Sequence, residues 1–131
     1  MPVRFQTAYD TDIWPLTISE VGWSSIDRLD PPLRAPGTAA VLRVRFDCWP
    51  GVNFAQLRIA SLRFYLDGER PVVHSLYELL CNNCTSIILR DPRPKFRQRP
   101  IELLPGALSP VGFEDSESLG DNILAIPGWL R

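Results

Sequence analysis

The sequence predicts a mainly β or α+β fold, an antiparallel sheet or sandwich with one amphipathic helix packed on it. Three observations predict it. Short runs alternate between apolar and polar residues, most cleanly over 41–47, where Leu42, Val44 and Phe46 point one way and Arg43, Arg45 and Asp47 the other. A single stretch switches to helical spacing: Val73, Leu76, Tyr77, Leu80 and Cys84 recur at i, i+3, i+4, i+7. And there are 13 prolines, about twice the usual frequency, which shortens helices and multiplies turns and edges.

Taken in order, residues 4–25 read as one or two strands, fed by Ile13, Trp14, Leu16, Ile18, Val21 and Trp23. Pro15 marks a bulge or an edge there, since proline donates nothing to a ladder. Residues 27–38 read as a loop, broken by Pro31-Pro32 and Pro36-Gly37. After the strand at 41–47, Pro50-Gly51 turns the chain. The apolar run 54–59 reads as another strand, and Ala60-Ser61 shifts the phase before the next one. That next strand, 62–66, places Leu62, Phe64 and Leu66 on one face. Asp67-Gly68 is a turn pair, because glycine accepts positive φ and aspartate bonds its own backbone. Pro71 suits the first helical position, where its missing N–H costs nothing. The helix ends near Cys81-Asn82-Asn83-Cys84, with Asn83 as a left-handed stop. Residues 85–90 are β-branched and read as a strand returning to the sheet. Residues 91–100 form a basic loop punctuated by proline, and 101–104 and 108–113 are short strands split by Pro105-Gly106. The acidic run 114–121 reads as exposed, and the apolar ending 126–131 has no evident closing element.

Composition narrows the function classes. At 131 residues the chain 1–131 reads as a single domain, long enough for a real core. No stretch nears the eighteen or so apolar residues of a membrane span, and no apolar leader is evident. A net charge of −1 gives no global drive toward nucleic acid or anionic lipid. Three cysteines make no even disulfide framework, which favours a reducing compartment.

The residues that carry chemistry elsewhere are thin here. Cys81 and Cys84 form a CxxC pair, but only Cys48 and His74 remain to complete four zinc ligands, and nothing spaces them as a half-site. A redox pair belongs at a helix N-terminus, whose dipole stabilises thiolate; this pair falls at the other end. The expectation is therefore packing or capping, with no metal and no cofactor. His74, the one histidine, sits a turn ahead of Glu78, an ordinary surface i, i+4 pairing. No GxSxG, GxGxxG or P-loop spacing is present. Asp10/Asp12 and Glu114/Asp115/Glu117 sit in polar runs that solvation explains. An enzyme is not expected.

Two features point to contacts. Arg90, Arg93, Lys95, Arg97 and Arg99 crowd one loop, which serves equally as a solvated loop, as a dock for an acidic protein surface, or as a phosphate-binding loop with Phe96 to stack on a base. The second is a row of Arg43, Arg45, Arg58, Arg63 and Tyr65, which would line one interface-like face if their strands share a sheet.

The stretch LRFYLDGE at 62–69, HSLYELLCNNC at 74–84 and IILRD at 87–91 resembles the type VI secretion baseplate family TssF, also called ImpG or VasA. The resemblance extends to Phe5-Gln6-Thr7 and Ile13-Trp14-Pro15-Leu16 before it, and to Leu104-Pro105 and Pro110-Val111-Gly112-Phe113 after it. The joint order of these motifs is more specific than any one of them. Members of the family are several times longer, so the resemblance implies a middle segment excised from a longer chain. It implies a non-enzymatic structural subunit of a bacterial contractile machine, cytoplasmic and in a baseplate docked at the inner-membrane complex. Its implied partners are TssG and TssK in a wedge and, indirectly, the spike hub and sheath; neither a small-molecule substrate, nucleic acid nor membrane insertion is implied. The matching residues Trp14, Pro15, Leu16, Phe64, Tyr65, Leu66, Asp67, Gly68, Leu76, Tyr77 and Leu80 read as core and turn positions. From another class, the alternative is a nucleic-acid-binding module built on the 90–99 loop.

Overall fold

The structure is a computed structural model that describes residues 12–29, 32–93 and 99–111 and the strand at 123–127. Its contacts group into two compact units, one within Thr11–Leu57 and the other within Arg58–Leu130. Among the described residues it is mainly antiparallel strands with a single α-helix, the class the alternation and the proline content predict.

The first unit is a two-stranded ribbon. β1 (Leu16–Ser24) pairs antiparallel with β2 (Val41–Cys48), from Leu16 opposite Cys48 to Ser24 opposite Val41. The one irregularity is at Ser19: Ile18 faces Phe46 and Glu20 faces Arg45, leaving Ser19 as an extra residue. Proline chemistry points instead to a bulge or edge at Pro15. Pro15 lies just before β1, in a tight turn closed by the Leu16 N–H donating to the Trp14 carbonyl at 2.8 Å. Its own carbonyl, which proline keeps, accepts from the Trp49 N–H at 3.0 Å.

Turn chemistry leads the chain out of β2 at this same end. The Val52 N–H donates to the Trp49 carbonyl at 3.0 Å around Pro50-Gly51, with Gly51 at φ +81°. This is the type II arrangement, proline then a positive-φ glycine. The run 54–59, expected as a strand, is not one. Phe54–Gln56 is a single 3-10 turn opened by a reciprocal cap: Asn53 Oδ1 accepts the Ala55 N–H at 3.3 Å, and Gln56 Oε1 accepts the Asn53 N–H at 3.1 Å. The local Asn-x-x-Gln pattern overrides the apolar content.

The second unit carries two small sheets and the helix. β3 (Ser61–Tyr65) alternates as expected, with Leu62 and Phe64 half-buried and Arg63 and Tyr65 exposed. α1 (Arg70–Asn82) follows, with Pro71 at its second rather than its first position. Its first-turn bond runs from the Val73 N–H to the Glu69 carbonyl at 3.0 Å. Val73 is buried, Leu76, Tyr77 and Leu80 are half-buried, and Val72, His74, Ser75, Glu78 and Leu79 are exposed, so the inward face is the one the spacing selects. Asn83 ends the helix at φ −118° and ψ 5°, outside the left-handed region expected of it; the bond from its N–H to the Leu79 carbonyl ends the helix without one.

β4 (Ile87–Leu89) pairs antiparallel with β5 (Ile101–Leu103), and β6 (Ser109–Val111) pairs with β7 (Ile123–Pro127). β7 is the largest departure from the expected pattern. The sequence shows no evident closing element over 126–131, yet β7 lies between β3 and β6 as the central strand of a three-stranded sheet. The expected acidic run 114–121 and residues Lys95 and Arg97 lie outside the described residues.

Candidate functional site

The ribbon's two faces follow from its register. Residues directly opposite each other in an antiparallel pair share a face. Leu16, Ile18, Val21 and Trp23 therefore line one side with Cys48, Phe46, Val44 and Leu42. In an unbroken strand Leu16 and Ile18 would face away from Val21 and Trp23, because their numbers differ in parity. The extra residue at Ser19 restores the phase and makes one uninterrupted apolar face without a charge.

All the ribbon's charges are on the opposite side. Glu20 accepts an ion-paired hydrogen bond from Arg43, and Arg45 Nε reaches Asp47 Oδ1 at 3.4 Å. Trp49 Nε1 donates to Thr17 Oγ1 at 3.2 Å beside them. These exposed pairs are worth at most about 0.2–1 kcal/mol each, and their clearer consequence is a charge-balanced solvent face.

The apolar face is open at three β1 positions, while Leu16, Leu42, Val44, Phe46 and Cys48 on it are half-buried. Ile18, Val21 and Trp23 are 51%, 60% and 55% exposed, whereas Leu29 is the buried apolar side chain of this unit among its described residues. A sheet face of this kind ordinarily packs against another layer, and two strands alone are marginal in water. The open uncharged face is thus the surface of the ribbon best suited to a partner.

The row of Arg43, Arg45, Arg63 and Tyr65 is conditional on their strands sharing a sheet, and they do not. Arg43 and Arg45 belong to β2 and Arg63 and Tyr65 to β3, and these strands lie in separate sheets, so the four do not line one sheet face. Local alternation identifies strands but not their partners. Arg58 precedes β3 and is exposed. In the basic loop, Arg93 grips Asp91: its backbone N–H reaches Oδ1 at 3.0 Å and its guanidinium contacts both oxygens at 2.5–3.1 Å. These hydrogen bonds, side chain first, hold the Asp91 carboxyl below the ordinary aspartate value. Part of the loop's positive charge is therefore balanced within it, while Arg99 is exposed.

The motif residues separate into half-buried and exposed positions. Trp14, Pro15, Leu16, Phe64, Leu66, Leu76, Tyr77 and Leu80 are half-buried; Tyr65, Asp67 and Gly68 are exposed. Tyr65 is 72% exposed, so its place in the motif is not a core one. Tyr65, Asp67, Gly68, Arg70, Val73 and His74 border an open cavity of about 400 Å³ at the head of α1. It holds charges of both signs on exposed side chains. Cys48, Cys81 and Cys84 are free thiols. Cys84 donates to the Ser86 carbonyl at 3.6 Å, and burial pushes its thiol up, keeping it protonated at neutral pH.

No α-helix among the described residues is long and apolar enough to cross a membrane. Comparisons with curated proteins and with solved structures gave no match. The family model described as "Type VI secretion system, TssF" matches residues 1–124, nearly the whole sequence and including every strand but the last, β7, which it reaches only in part. With the ordered motifs from LRFYLDGE to IILRD inside that span, the chain belongs to the TssF family of the type VI secretion system.

Proposed function

We propose that this chain is a non-enzymatic structural part of the secretion baseplate, a wedge component that works by binding other subunits. The observation that carries the reading is the open, uncharged face of the β1–β2 ribbon. It lies opposite the face that carries all the ribbon's charges and is continuous along both strands. In this reading the face receives a neighbouring baseplate subunit, TssG or TssK, on the cytoplasmic side of the inner membrane. Covering three side chains that are each about half exposed contributes on the order of 1 kcal/mol apiece, enough to matter in one interface among several.

The test uses the full-length parent protein mixed with TssG and TssK, with mass read by light scattering on a sizing column. The expected result is a co-eluting complex that is weakened tenfold or more by Val21→Lys or Ile18→Lys, because a cation there must be desolvated. Arg63→Ser with Tyr65→Ser, on the other unit's sheet, should leave it intact. A complex indifferent to Val21→Lys and Ile18→Lys would remove the ribbon face from the assembly. Failure of the unaltered, folded proteins to associate would overturn the wedge role itself.

A further inference from the structure

We draw no further inference here: the strongest candidate, the uncharged face of the β1–β2 ribbon, already carries the assembly reading above, and nothing in the structure shows which surface covers it.

Discussion

Deleting Ser19 from β1 should leave the ribbon standing, which is unusual for a deletion inside a strand. Ser19 has no partner in the ladder, and its removal brings Ile18↔Phe46, Glu20↔Arg45 and Val21↔Val44 into consecutive register. Both faces keep their residues. The loss is one hydroxyl whose contact with the Arg45 carbonyl, at 3.5 Å, is at the limit of a hydrogen bond. The gain is one fewer residue to order, worth about 1–2 kcal/mol of backbone entropy. The local twist of the bulge is also lost, and the net change should stay within about 1 kcal/mol of zero. Deleting Gly22 is the matched control. It would set Trp23 opposite Arg43 on the charged face and Ser24 opposite Leu42 on the apolar one. Thermal unfolding followed by near-ultraviolet circular dichroism compares the two, at roughly 3–6 °C per kcal/mol for a chain of this size. The Ser19 deletion should melt within a few degrees of the parent and still form the complex proposed with TssG or TssK; the Gly22 deletion should lose it. A Ser19 deletion that unfolds, or a Gly22 deletion that binds normally, would refute the bulge as the device that aligns the apolar face.

Three further outcomes are expected. Gly68→Ala should cost about 1–3 kcal/mol from backbone strain alone: φ is +152°, while an added Cβ would meet Val73 Cγ2 at an ordinary 3.6 Å. Gly106→Ala, at ordinary φ and with nothing within 4 Å, should melt close to the parent, and equal melting of the two variants would dismiss the strain. Leu76→Asp or Phe64→Asp should cost about 3 kcal/mol or more by placing a carboxylate among apolar neighbours, and a soluble variant with an unshifted cooperative melt would remove those residues from the core. Arg93→Ala should raise the Asp91 titration midpoint, followed by carboxyl carbon chemical shift. Because the folded value is lowered, the pair's stabilisation is present above the unfolded pKa and is lost as pH falls through the folded one. An unchanged midpoint in Arg93→Ala would refute the pairing.

Much of this fold is legible locally. The alternation of Arg43, Val44, Arg45 and Phe46 gives β2, and the spacing of Val73, Leu76, Tyr77 and Leu80 gives α1 and its inward face. Pro50-Gly51 gives its turn because the chemistry is contained in four residues. What stays hidden is non-local. Nothing in Ile123–Pro127 announces that it will be flanked by β3 and β6, and the apolar ending 126–131 shows no evident closing element. The parity change between Ile18 and Val21 is visible in the sequence and is the signal that would have located the bulge. The separate sheets of β2 and β3 left no such signal, which is why the Arg and Tyr residues do not share one sheet.

The central position of β7 also fixes when this part of the molecule can come into being. β3 is complete at Tyr65, and its partner finishes at Pro127, so at ordinary translation speeds the wait between them is roughly 3–12 s. β6 has no route to β3 except through the same strand. During synthesis, then, Leu62 and Phe64 are made long before the backbone that will pair with their strand, and an unpaired strand is a template for the wrong neighbour. The ribbon of β1 and β2 has a shorter delay, since Ser24 meets Val41 across the sixteen residues 25–40. The ribbon is complete at Cys48 while β3 still waits for Ile123–Pro127.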